Sequence, residues 1–330
     1  LYVWVVRPTS NLYLKCDFTF LRTMEFEKYE IDGSVIYQGD AFDILPTLQN
    51  ESIDACLTDM PYAAESFGGK CTACEWDRPI NLVEFWRWLE RKAKPQANII
   101  LFSNLKLGFD LIGSNLKGFR SDLVWAKNNP VGHLNSSNQV MRSHENILLF
   151  RRPRSSGTPT YNPIKTGGGR PRVNRVKARK SGGVYPAGKD YTTVSDGTTH
   201  PISVLAFDRD SNLPEWCAHP TAKPLALVAY LLMLYTNPGD LILEPFAGSG
   251  TTLEAAFRLN RRFIGIEREK EFYDIACRRL YEAYQRKHAR RTTLMTFPVS
   301  PSVQESADNS TSEAAITTEQ QDLVQNIGVA

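Results

Sequence analysis

Two short stretches of this chain combine residue types that can do chemistry. The first is Glu244-Pro245-Phe246-Ala247-Gly248-Ser249-Gly250, where two glycines two apart let the backbone bend sharply and approach a ligand closely. Glu267 stands seventeen residues beyond Gly250, at the end of the apolar run from Phe263 to Ile266. An acid in that place can accept hydrogen bonds from both hydroxyls of a ribose. Together they describe a nucleoside cofactor lying across the carboxyl ends of adjacent strands. A dinucleotide fingerprint needs glycine where Leu253 stands, and a phosphate-binding loop needs lysine where Thr251 stands, so both are disfavoured.

The second stretch is Asp59-Met60-Pro61-Tyr62, after the strand pattern Ile53 to Leu57. An exocyclic amine on a nucleobase is a poor nucleophile because its lone pair is delocalised into the ring. Two acceptors aimed at its hydrogens, the Asp59 carboxylate and the Met60 main-chain carbonyl, favour the pyramidal nitrogen that can attack. A fixed carboxylate also stabilises the positive charge that develops there. Pro61 restricts the backbone so that the carbonyl before it faces the site. Tyr62 offers a flat face on which a base can stack, worth about 1–3 kcal/mol.

These loops need strands to carry them. Short β-runs are expected at Val35 to Tyr37, Ile53 to Leu57, Asn98 to Phe102, 121–126, 146–150, Leu241 to Leu243 and Phe263 to Ile266. Between them, residues 81–94 put Leu82, Phe85, Trp86 and Leu89 on one helical face, closed by Pro95. Further helices are expected at about 223–236, from Thr251, and toward Lys287. Apolar strands alternating with amphipathic helices predict an α/β, doubly wound, mostly parallel sheet covered on both faces.

A third stretch, His219-Pro220-Thr221-Ala222-Lys223-Pro224, precedes the helix that leads to the glycine loop. In this order the three motifs resemble those of the β-class DNA amino-methyltransferases, over about residues 33–285. The resemblance implies a seven-stranded, Rossmann-like, circularly permuted sheet with an inserted target-recognition segment, and S-adenosyl-L-methionine as cofactor. It implies that Asp59, Met60, Pro61 and Tyr62 hold a flipped-out base. Phe246, Gly248 and Gly250 would line the cofactor pocket, with Glu244 near the cofactor's amino group and Glu267 on its ribose. Asp40 would lie near the adenine end, and Thr221 with Lys223 near the methionine carboxylate, which needs a cationic or N–H partner when desolvated. Met60 replaces the family's first proline and Glu244 the commoner aspartate; neither change removes a group the chemistry needs. Aspartate rather than serine at 59 resembles the adenine-N6 members, with cytosine-N4 methylation as the alternative. More distant alternatives are an inactive DNA-binding protein and an RNA or protein amide methyltransferase.

Charge is unevenly placed. Of the residues from Arg151 to Asp190, eleven are Lys or Arg and one is acidic. We read 151–212 as a basic target-recognition insert between a catalytic half, 31–150, and a cofactor half, 213–288. Arg151, Arg152, Arg170, Arg172, Arg175, Lys177, Arg179 and Lys180 are its candidate contacts to double-stranded DNA. Residues 1–30 read as an extension outside the core, and 289–330 as an acidic, disordered tail. His144 and Glu145 read as structural. Cys71 and Cys74 form a C-x-x-C pair, and Cys217 with His219 could complete a zinc set, but reduced thiols are the better reading and no metal is expected. The longest apolar run, Leu225 to Tyr235, is far short of the roughly 20 residues a bilayer crossing needs. A cytoplasmic protein is expected, bacterial or phage-encoded, with a homodimer and a cognate restriction endonuclease as partners the resemblance allows.

Overall fold

The computed structural model describes residues 26–70, 74–153, 157–167, 169–177, 190–210, 214–217 and 222–295. In chain order the strands are β1 (Lys28–Ile31), β2 (Ser34–Gln38), β3 (Ile53–Thr58), β4 (Ala93–Ser103), β5 (Phe119–Val131) and β6 (Arg142–Arg151). They continue with β7 (Arg172–Val176), β8 (Tyr191–Ser195), β9 (Val204–Ala206), β10 (Leu241–Glu244) and β11 (Arg262–Glu267). The helices are α1 (Ala41–Ile44), α2 (Leu82–Lys92), α3 (Leu105–Ser114), α4 (Leu225–Tyr235), α5 (Thr251–Arg258) and α6 (Lys270–Met295).

The main sheet runs β1-β2-β11-β10-β3-β4-β6-β5-β9. Pairing is parallel from β2 through β4, and β6 lies antiparallel between β4 and β5. Seven contiguous strands, β2 to β5, form the α/β sheet expected from the alternation of strands and helices. A short strand is added at each edge. The order follows from burial: β3 and β10 are apolar and are covered on both faces, so they take the centre.

Three boundaries differ from the sequence reading. The β1–β2 hairpin begins at Lys28, before the boundary placed at 31, and turns on Asp32 (φ 45°) and Gly33 (φ 73°). Two successive left-handed residues suit a tight hairpin, whose outer strand needs no apolar pattern of its own. Helix α2 stops at Lys92, and Pro95 lies inside β4, where the register against β3 jumps between Ile53 and Ala55. The segment 151–212, read as an insert between the two halves, reaches into the main sheet: β9 pairs with β5, while β7 and β8 form a separate antiparallel ribbon. That ribbon is solvent-exposed, so nothing in it demands alternation of apolar and polar residues.

Helices α4, α5 and α6 cover one face of the sheet and α1, α2 and α3 the other. Helix α4 is apolar all round and almost wholly buried, which marks an internal helix. Among the described residues no helix is long and apolar enough to cross a membrane.

Candidate active site

Parallel pairing of β3 with β10 sets Ala55 beside Ile242 and Cys56 beside Leu243, so the two strands end side by side. The loop Asp59 to Tyr62 and the loop Pro245 to Gly250 therefore meet, although they lie far apart in the chain. They line one cavity of about 1080 Å³ at the carboxyl edge of the sheet, shared by Tyr62 and Phe246. The Thr58 hydroxyl donates to the Glu244 carboxylate across the junction.

On the cofactor side, Gly248 (φ 52°) and Gly250 (φ 80°) both occupy the left-handed region. A Cβ on Gly250 would lie 2.9 Å from the Ala276 Cβ on α6, whereas one on Gly248 would meet nothing within 4 Å. Gly250 thus permits close helix packing and does not itself line the cavity, whereas Gly248 does and faces open space. The Gly248 amide donates to Glu267 Oε2 at 2.6 Å and the Glu269 amide to Oε1 at 2.8 Å. Burial pushes the Glu267 carboxyl up, and these two amides pull against it. Asp40 Oδ1 caps α1 by accepting from the Phe42 amide at 2.9 Å. The Phe246 ring packs on Phe85 with centroids 6.3 Å apart. Glu244 is buried and accepts from the Phe246 amide at 3.2 Å; burial drives its carboxyl up to about 8 despite the bonds it accepts.

These residues fit S-adenosylmethionine. The space at Gly248 is what close approach of a ligand requires, Glu267 stands buried at the strand end, and Glu244 is an acid that a cationic amino group would ionise.

The catalytic side is built from side chains. Asp59 Oδ2 accepts from the Lys223 ammonium, while Oδ1 is buried with no hydrogen-bond partner among the described residues. Burial raises the Asp59 carboxyl, Lys223 opposes the rise and Glu145 adds to it. Met60 is fully buried. The Tyr62 hydroxyl donates to Glu145 Oε2 at 3.0 Å, and burial followed by the Asp59 and Glu145 charges pushes that phenol far up. Glu145 also accepts from the Lys127 ammonium.

Two residues have partners that the sequence did not name. Lys223, expected near the methionine carboxylate, lies against Asp59 and 3.4 Å from Glu145 Oε2, with its ammonium 5.2 Å from the Tyr62 ring. A desolvated ammonium goes to the nearest carboxylates, and these two outweigh the lowering that burial alone would cause. Glu145, read as structural, is a buried member of the site. Burial would raise its carboxyl, but Lys223 and Lys127 prevail and hold it below the usual range. The signal was an acid two residues before the apolar run Ile147 to Phe150, a place where an unpaired charge is costly.

The expected DNA contacts divide. Arg151 Nε donates to Asn98 Oδ1 at 3.3 Å, and Arg152 donates to Glu51 Oε1 at 2.9 Å and the Ala93 carbonyl at 3.0 Å. Asn98 is paired with Arg151 and Ser103 with Asn146, so both arginines lie at the end of β4 away from the cavity. Five residue steps of strand, about 17 Å, separate the two ends. Both arginines are taken up by the sheet rather than offered to a ligand at the active edge. Arg170, Arg172, Arg175 and Lys177 are exposed on or beside the β7–β8 ribbon. Thr221, Arg179, Lys180 and Cys71 lie outside the described residues, as do residues 1–25 and the tail from 296. Among the described residues no group of three or more His, Cys, Asp or Glu is placed to hold a metal ion.

The N6/N4 methyltransferase family model, described as a DNA methylase, matches residues 53–278. The Type II methyltransferase M2.LlaDCHI of Lactococcus lactis subsp. cremoris is 28% identical over 271 residues, spanning 76% of this chain and 91% of that protein. The Type II methyltransferase M2.DpnII of Streptococcus pneumoniae is 27% identical over the same length and shares. The solved structure of the cytosine-N4-specific PvuII DNA methyltransferase has the same fold, with a TM-score of 0.52 at 15% identity over 88% of this chain and 90% of that one. With the motifs, the shared cavity and the family match in agreement, this chain belongs to the S-adenosylmethionine-dependent N6-adenine/N4-cytosine DNA methyltransferase family.

Proposed function

We propose that the chain is a site-specific DNA methyltransferase acting on the exocyclic N6 of an adenine turned out of the duplex. The observation that carries this reading is the buried Oδ1 of Asp59, which has no hydrogen-bond partner among the described residues, in the same cavity as Tyr62 and the Gly248 loop. A buried acceptor without a donor is costly, and an amine hydrogen supplies what it lacks. S-adenosylmethionine, when bound, supplies an electrophilic methyl group.

Asp59 and the Met60 carbonyl would draw the amine hydrogens out of the ring plane and stabilise the positive charge that grows on nitrogen. Tyr62 would stack on the base and offset part of the few kcal/mol that extrusion costs. Glu267 and Glu244 would hold the ribose and amino ends of the donor, and proximity would supply much of the acceleration. The exposed Arg170, Arg172, Arg175 and Lys177 suit contact with DNA phosphates. Aspartate at position 59 favours adenine over cytosine. The Type II methyltransferases among the relatives support a place beside a cognate restriction endonuclease.

The test is to incubate the purified protein with S-adenosylmethionine and unmethylated plasmid DNA, digest to nucleosides and identify the product by mass spectrometry. N6-methyldeoxyadenosine is expected. N4-methyldeoxycytidine would overturn the adenine assignment, and transfer to RNA or protein in place of DNA would overturn the substrate class.

A further inference from the structure

Among the described residues, Asp59, Lys223, Glu145 and Lys127 form one chain of ion pairs on the catalytic side, and only Asp59 and Lys223 fall in motifs that carry the family resemblance. The other two, Glu145 on β6 and Lys127 on β5, come from strands three and four places across the sheet from β10, which carries the cofactor loop. Glu145 and Lys127 are each less than one-tenth exposed, so neither charge is placed there cheaply. Lys127 on its own would be balanced by one carboxylate. Glu145 does more than that: Oε1 takes Lys127, while Oε2 takes the Tyr62 hydroxyl at 3.0 Å and stands 3.4 Å from the Lys223 ammonium.

We propose that Glu145 is a positioning residue for methyl transfer, which fixes the Tyr62 ring and gives Lys223 a second carboxylate so that Asp59 can serve the substrate amine. The inference rests on the reading that Asp59 receives the amine. With Lys223 bound to Asp59 alone, the ammonium would take up the negative charge that should stabilise the attacking nitrogen. The second carboxylate lets Lys223 lean toward Glu145 when the amine arrives, and no buried ammonium is stranded. The same oxygen anchors the hydroxyl of the stacking ring, so the ring plane and the Lys223 position are set by one group. Glu145 touches neither methyl donor nor base in this role; it acts through Tyr62 and Lys223.

The alternative role is purely structural, in which Glu145 serves only to neutralise Lys127. Three proteins separate the two: Glu145→Gln, Lys127→Met, and the double variant carrying both. The glutamine keeps the size and an acceptor for Tyr62 but removes the charge, and the double variant also removes the cation that would otherwise be left buried. Each is assayed with tritiated S-adenosylmethionine and unmethylated plasmid DNA, recording kcat and KM for the donor and, separately, donor affinity by calorimetry and the melting temperature. The expected result for Glu145→Gln is a kcat lowered at least tenfold with KM for the donor within about twofold. The double variant should recover the melting temperature while its kcat stays low.

Recovery of both melting temperature and kcat in the double variant would reduce Glu145 to a counter-ion and overturn the proposal, as would wild-type kcat in Glu145→Gln. A loss confined to donor affinity would overturn it as well. Should the wild-type protein methylate no DNA, the failure would lie with the proposed function; active wild-type protein with unaffected variants would place it with Glu145.

Discussion

On the cofactor side of the cavity, Glu267 receives the amides of Gly248 and Glu269, and Asp40 receives that of Phe42, partners nineteen and two residues away at most. On the catalytic side, Asp59 meets an ammonium 164 residues away, and Glu145 takes the hydroxyl of Tyr62, 83 residues away. Glu267 and Asp40 are held by main-chain amides and Asp59 and Glu145 by side chains from separate strands and helices, while Glu244 takes both the Phe246 amide and the Thr58 hydroxyl. Main-chain amides cannot change partner without refolding the loop, so Glu267 and Asp40 are set in place before any ligand arrives. Side-chain ammonium groups can exchange acceptors by rotating bonds, which suits a site that must take in a base, turn over and release it.

If the two sides are as separable as this contrast implies, their variants should fail differently. The largest effect is expected from Asp59→Ala, which removes the buried acceptor: methylation should fall about 10³-fold, with donor affinity by calorimetry within a few-fold of wild type. A parallel collapse of donor affinity would show that the two sides are one unit.

Glu244 gives the next effect. Its folded carboxyl is raised to about 8, so between the ordinary carboxylate range and that value the folded protein holds a proton that the unfolded chain has released. Its contribution to stability is intact at low pH and is lost as pH rises toward about 8, a difference of a few kcal/mol. Melting temperature should decline across pH 5 to 8 more steeply in wild type than in Glu244→Gln, and added S-adenosylmethionine should flatten the wild-type decline by pairing its amino cation with the ionised acid.

Gly250→Val tests the cofactor side. A side chain there meets Ala276 and a left-handed φ, costing about 1–3 kcal/mol, and should lower melting temperature and donor affinity together. Smaller still, Arg172→Ala and Arg175→Ala should each weaken DNA binding across sequences and reduce the salt slope by about one. Arg152→Ala should leave DNA affinity unchanged in the same titration, because its guanidinium is committed to Glu51 and Ala93 at the far end of the sheet.

How far the site could be read in advance tracks the same contrast. The glycine loop, Glu267 and the tetrapeptide were legible because each depends on local backbone requirements: left-handed φ, a strand end, an acceptor before proline. Glu145 and Lys127 were not legible as site residues, since nothing near them in the chain names their partners. The basic run from Arg151 suggested a uniform DNA-facing insert, yet its first two arginines belong to the sheet's other end. Charge along a sequence carries no direction, and only the antiparallel register of β6 against β4 reveals where those arginines fall. Strand β9 escaped notice for a related reason: three residues are too few to form a period.

The amino-acid sequence alone determined the layered α/β architecture and the strand ends at which the glycine loop and the tetrapeptide stand, because helix period, strand apolarity and glycine freedom act over a few neighbouring residues. Tertiary structure alone decided that Lys223 faces Asp59 and Glu145, that Asp59 keeps one oxygen without a partner among the described residues, and that Arg151 and Arg152 stand away from the cavity. Those outcomes depend on which strands become neighbours and on which buried charges must therefore neutralise one another, and neither is written in local order along the chain.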